Sequence, residues 1–186
     1  MAETDEAIYC RFLKSRDEDA LRLLFDRHRE SLILFLHGFV RNMEDAEDLM
    51  MNTFAVVASG AYSFSEKKSS FKTWLFAIGR NQARVFLRKR FRENTAQMKA
   101  PPGEEETPEI GILQEEKNRE LHHALETLPD DYHQALYLLY FEQMSQDDAC
   151  IVMRKTKRQM YHLAERGRKA LRDALERMGF DHAQFG

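Results

Sequence analysis

The chain has 186 residues, 43% hydrophobic and 32% charged, which suits one domain or two small ones with real cores and excludes a chain disordered throughout. Its net charge of -3 argues, as an average, against a nucleic-acid partner. The longest apolar stretch, Leu32 to Val40, is broken by His37 and Gly38 and falls short of the ~18 residues that a membrane span requires. Glu3, Asp5 and Glu6 stand where a secretory leader would be basic, so a cytoplasmic chain without membrane insertion is expected. Cys10 and Cys150 lie far apart with no CxxC or His–Cys cluster. Neither a disulfide framework nor a metal site is expected, and both cysteines read as small buried residues.

Apolar residues recur at three and four along the whole chain, so the fold class is all-α. Ser15 with Glu18 reads as a capping box for a helix with Ala20, Leu21, Leu24, Phe25, Leu32, Phe35 and Leu36 on its inner face. A second helix follows Asn42, opens on Glu44, Asp45, Glu47 and Asp48, and turns Leu49, Thr53, Val56 and Val57 inward. After a polar loop, a third places Phe71, Trp74, Leu75, Ile78, Val85 and Phe86 inside. Pro101 to Glu116 then carries six glutamates, no Lys or Arg and three of the four prolines. Such a stretch cannot bury enough apolar area to offset its ordering entropy. The chain thus divides into a helical domain at 1–93, a flexible acidic linker at 94–115 and a second helical domain at 116–186.

In that second domain a helix from about Glu116 to Thr127 precedes Pro129, near the start of the next, and Tyr132 to Glu142 is mostly apolar. Ser145 with Asp148 and Thr156 with Gln159 form two further capping boxes, about three residues apart from helix to helix. A short helix, a tight turn and a longer basic helix is the helix-turn-helix pattern. Gly179 before Phe180 closes the last helix.

The average charge conceals two basic blocks. Phe71 to Glu93 holds seven Lys and Arg against Glu93, and Arg154 to Arg172 holds eight against Glu165. Arg80, Arg84, Arg88 and Arg92 recur at four, a slowly winding row at ~100° per residue. With like charges repelling at that spacing, an external anion such as a phosphate backbone is the expected partner. The loop before it, Ala61 to Phe71, interleaves Tyr62, Ser63, Phe64, Lys67, Lys68, Ser69 and Ser70. Aromatic faces, hydroxyls and lysines together suit single-stranded nucleic acid, and an ordinary loop with its rings tucked inward suits the same pattern. In the helix after Thr156, the residues Lys157, Arg158, Gln159, Tyr161 and His162 occupy the turns that face a major groove, where Arg, Lys and Gln read base edges. Motifs of catalysis or nucleotide binding are absent, so no enzyme and no cofactor is expected.

With these pieces in order, the chain resembles the ECF-type sigma factors of bacterial RNA polymerase. Leu24 to Arg92 looks like the family's region two, through Asp45-Ala-Glu-Asp-Leu49, Phe71-Lys-Thr-Trp-Leu75, Ile78-Gly-Arg-Asn81 and Leu87-Arg-Lys-Arg90. Leu121 to Leu175 resembles region four. The resemblance implies that Asp45, Glu47, Asp48 and Leu49 dock on core polymerase. It also implies that Lys72, Arg80, Asn81, Arg84 and Arg88, with the loop from Tyr62 to Ser70, hold the melted minus-ten promoter element and a flipped base. Thr156, Lys157, Arg158, Gln159, Tyr161, His162 and Arg166 would read the minus-thirty-five duplex, and an anti-sigma factor would regulate the whole. Val85 stands where many members carry Asp, Arg154 where the turn usually has Gly, and Tyr161 and Leu163 where Lys and Arg are usual. Base preference therefore does not carry over. The alternatives are a helix-turn-helix regulator that does not act through core polymerase and a helical interaction protein. Neither uses the acidic helix start or the single-strand loop.

Overall fold

A computed structural model describes residues 3–97 and 116–179. The chain falls into two compact units that divide between Glu106 and Thr107. Every regular element among the described residues is helical.

The first unit opens on a helix that the sequence reading passed over, α1 (Asp5–Ser15), capped by the Thr4 hydroxyl. Ile8, Tyr9 and Phe12 are buried. The Tyr9 ring lies 5.1 Å from Phe71, 5.3 Å from Trp74 and 5.6 Å from Phe64, and its hydroxyl donates to the Val57 carbonyl at 3.0 Å. The acids taken above as evidence against a leader anchor this helix. Asp5 meets Arg27 and His28, each at 2.7 Å, and Glu6 accepts the Phe71 N–H at 2.9 Å.

The expected capping box at Ser15 is corrected. Ser15 ends α1 with its hydroxyl on the Arg11 carbonyl, Arg16 turns left-handed at φ 55°, and Asp17 caps α2 (Glu18–Val40) by accepting from Asp19 and Ala20. The apolar run from Leu32 to Val40 is buried on every side, which makes α2 the axis of the unit. Helix α3 (Met43–Ser59) starts at Asn42 as expected, its side chain accepting from Asp45 N–H at 2.9 Å. Helix α4 (Phe71–Gln97) crosses α2 so closely at Gly79 that a Cβ there would lie 3.0 Å from a Leu32 methyl. It continues through Gln97, so residues 94–97 of the predicted linker are helical, and 98–115 lie outside the described residues.

In the second unit α5 (Glu116–Glu126) and α6 (Asp130–Leu136) join through Pro129 at the cap position. Ala124, Leu125, Leu128, Leu136 and Ala174 form the core, with Tyr132, Phe141 and Leu171 against it. Tyr137–Phe141 widens into a π-helical turn that stacks its two terminal rings 5.4 Å apart. Burial, and Glu142 beside it, holds the Tyr137 hydroxyl protonated well above the ordinary phenol range.

Helices α7 (Gln146–Met153) and α8 (Lys157–Arg177) are separated by three residues. Ser145 accepts the Asp148 N–H and donates to its carboxylate, and Thr156 with Gln159 closes a complete capping box. Arg154 sits where a glycine would be at ease, at φ 52°, so the turn keeps its left-handed shape at a steric cost of about 1–2 kcal/mol. Gly167 lets α8 lie against α6, for a Cβ there would stand 3.2 Å from Leu136 Cγ. Gly179 takes φ 89° just past the last helix, as its position predicts, while Phe180 lies outside the described residues. Neither cysteine is buried as expected. Both are half-buried, and Cys10 donates its thiol to Glu66 at 3.3 Å.

Candidate nucleic-acid interface

The row on α4 is shorter than its spacing suggests. Arg80 is only 5% exposed, because the ~40° winding per step that carries Arg88 and Arg92 outward brings Arg80 toward the packed half of the helix. Asn81 and Lys72 are half-buried. Arg84, Arg88 and Arg92 are exposed, and among the described residues none of the three has a carboxylate within 4.0 Å. Val85, expected inside, is 54% exposed; it lies about a quarter-turn from Arg84 on the solvent side of α4, while Ala83 stays buried and Arg90 still meets Asp45 of α3.

The preceding loop divides. Phe64 joins the ring cluster, 5.3 Å from Trp74, and Ser70 caps α4 by accepting the Thr73 N–H at 3.1 Å. Ser69 is half-buried. Tyr62, at 53% exposure, with Ser63, Lys67 and Lys68 forms the accessible edge. The loop is thus both of the things the sequence allowed, a ring anchored inside and a polar rim outside.

On α3 the acidic start also sorts itself. Leu49 is buried at 4% and belongs to the core, not to a docking face, because the helix turns its i+4 neighbour of Asp45 inward. Asp45 holds Arg90 of α4 at 2.8 Å. The exposed face consists of Glu44, Glu47, Asp48 and Met51. Met51, 54% exposed, was missed in the sequence, although its spacing of four from Glu47 and three from Asp48 puts it on that face.

In the second unit Lys157, Arg158, Gln159, Tyr161, His162 and Arg166 all lie on the exposed side of α8. Lys157 is bound to Asp147 at 2.7 Å, which raises its pKa. Gln159 has its Oε1 on the Thr156 N–H at 2.9 Å, and the Thr156 hydroxyl accepts the Gln159 N–H. A bidentate grip on adenine needs both ends of the amide, so Gln159 reads a base only by opening its capping box. Arg158 has no such engagement among the described residues. Further along, Arg168 donates to the exposed Tyr140 hydroxyl at 2.9 Å. No group of three His, Cys, Asp or Glu among the described residues is placed to hold a metal ion, and none of their helices is long and apolar enough to cross a membrane.

The two basic helices coincide with two family models, Sigma-70 region 2 over residues 24–93 and Sigma-70 region 4 over residues 118–171. RNA polymerase sigma factor CarQ of Myxococcus xanthus is 30% identical over 90% of this chain and 95% of its own. The chain is an ECF sigma factor. The ECF RNA polymerase sigma factor SigX of Bacillus subtilis, 26% identical, spans 86% of this chain and 85% of its own. The fold matches that of the sigma factor RpoE of Bartonella quintana, solved in complex with the anti-sigma factor NepR. There the TM-score is 0.69 and the identity 24%, over 83% of this chain and 96% of that one. In this sigma factor, then, the arginine row of α4 belongs to region 2 and the capped helix α8 to region 4.

Proposed function

We propose that residues 1–97 dock the factor on core RNA polymerase and hold the melted minus-ten element, that the acidic stretch from 98 to 115 tethers, and that residues 116–186 read the minus-thirty-five duplex. The reading is carried by one observation: Arg84, Arg88 and Arg92 form an exposed cationic row on the helix that follows a loop whose exposed rim is Tyr62, Ser63, Lys67 and Lys68. A row without carboxylates takes a polyanion, and a rim of an aromatic, a hydroxyl and amines grips bases that have left the duplex, a step whose unstacking costs a few kcal/mol.

Core polymerase is engaged by the face of Glu44, Glu47, Asp48 and Met51, and the duplex is read chiefly by Arg158 with Tyr161, His162 and Arg166 around it. The factor works in the cytoplasm, adds no catalytic group of its own, and is restrained by an anti-sigma protein, in the way that RpoE is bound by NepR.

Run-off transcription tests this directly. Purified chain added to core polymerase should produce discrete transcripts that core alone does not. Glu47→Lys with Asp48→Lys should weaken core association by about tenfold or more, and this pair is a cleaner probe than Asp45, whose reversal also breaks the Arg90 ion pair. Unchanged transcripts with and without the chain would refute the assignment.

A further inference from the structure

Helix α1 lies ahead of residue 24, where the match to Sigma-70 region 2 begins, and it grips the loop at residues 61–70 at both ends and in the middle. At the near end, carbonyls in the last turn of α3 accept from α1 and its cap: the Tyr9 hydroxyl donates to Val57 at 3.0 Å and the Arg16 guanidinium to Ala58 at 3.1 Å. At the far end, Glu6 accepts the N–H of Phe71, the first residue of α4, at 2.9 Å. An amide at that position has no partner within its own helix, and a carboxylate beside it also suits the positive end of the helix dipole. Between the two ends, the Tyr9 ring meets Phe64 edge-on at 5.6 Å, and the Cys10 thiol donates to the Glu66 carboxylate at 3.3 Å. Glu66 belongs to the turn that carries Lys67 and Lys68. Burial, with the Glu66 carboxylate beside it, pushes the Cys10 thiol up from its ordinary value, so at neutral pH it keeps its proton and remains a donor.

Within the loop, the Lys68 and Ser69 N–H groups share the Ser65 carbonyl, at 2.9 and 3.4 Å, which closes one turn but does not fix where that turn lies. Helix α1 is anchored independently of it, through Asp5 on Arg27 and His28 of α2. Ordering a loop costs backbone entropy at every residue, and a site already ordered spares binding that cost. We propose that α1 is a positioning element for promoter opening, in which Glu6 and Cys10 hold the loop in the form that receives a base of the melted strand. Neither residue belongs to the exposed rim. Glu6 acts through Phe71 and Cys10 through Glu66. This inference rests on the reading of the loop as the base-capturing rim.

The test uses holoenzyme assembled from the full chain and core polymerase, on a duplex promoter that gives a run-off transcript, with opening followed by the permanganate reactivity of its melted thymines. Cys10→Ala should slow opening about two- to fivefold and Glu6→Ala about tenfold or more, as expected for a neutral and a charged hydrogen bond. Cys10→Ser keeps a donor and Glu6→Gln an acceptor, so each should restore most of the rate. Core association, and the melting temperature of Cys10→Ala, should match the wild type. With the rim removed by Tyr62→Ala, Lys67→Ala and Lys68→Ala, the Cys10 substitution should slow opening no further. Wild-type opening by both α1 variants, where the rim variant is slow, overturns the inference and leaves the loop reading standing. A rim variant that opens at the wild-type rate overturns the loop reading, and the inference with it. Slowing seen only where core association or the melting temperature also falls overturns it in favour of a purely structural role for α1.

Discussion

Helices α4 and α8 carry comparable charge, but they are anchored by opposite means. The first half of α4 packs among bulky rings, Tyr9, Phe64, Phe71 and Trp74, and its second half, held to α3 by the Arg90–Asp45 pair, turns Arg84, Arg88 and Arg92 to solvent. Helix α8 is exposed along one side from its first residue and is held on the other by Met160, Ala164, Gly167 and Ala174, of which Gly167 lets it lie close to α6. A helix gripped most heavily at one end presents a row of charge that follows a backbone. One seated along its length and capped by a closed box presents its first turns rigidly, which suits reading base edges. Similar composition thus serves two tasks because the anchoring differs.

The largest effect should come from removing the α4 anchor. Tyr9→Ala leaves a cavity in the ring cluster and removes the hydrogen bond to the Val57 carbonyl, at a cost of about 3–5 kcal/mol. Trp74 is the single tryptophan of the chain, so urea unfolding followed by its fluorescence reports the first unit alone and should shift to much lower urea. Next, Gly167→Val should destabilise the second unit by about 1–3 kcal/mol through overpacking against Leu136, seen in the circular dichroism melt while the Trp74 transition stays in place. If either variant moves both transitions equally, the two helices are not anchored separately.

A sharper contrast concerns what each helix reads. Arg158→Ala should lose about 1–3 kcal/mol of discrimination at one or two upstream base pairs, measured by binding across a library of duplexes. Arg84→Ala should weaken promoter opening alike on all sequences and lower the slope of log affinity against log salt by about 0.7. Sequence preference altered by Arg84→Ala, or left intact by Arg158→Ala, would collapse the distinction. Smallest is Arg154→Gly, which relieves the left-handed turn between α7 and α8 against a gain in unfolded-chain entropy. It should raise the melting temperature of the second unit by about a few degrees, and a fall would show that the arginine side chain supports the turn.

Periodicity and capping residues determined much of this protein by themselves. The all-α class, the starts of α3, α7 and α8, the three-residue turn and the basic character of two helices were legible because each depends on neighbours within a few positions. Helix α1 was legible in principle, from Thr4 as its cap and Ile8 and Phe12 four apart; its acids drew attention to the question of a leader instead. What only the tertiary structure decided is which member of a local pattern reaches solvent. Arg80 and Leu49 match the spacing of their functional neighbours yet face the core, Phe64 turns its ring onto Trp74, and Asp45 and Gln159 match by type yet are held by Arg90 and Thr156. Conversely, Val85 reads as an inner residue and stands in water. A helical period fixes relative angle along one helix, whereas burial depends on where other helices end, and those ends are set by packing between residues far apart in the chain.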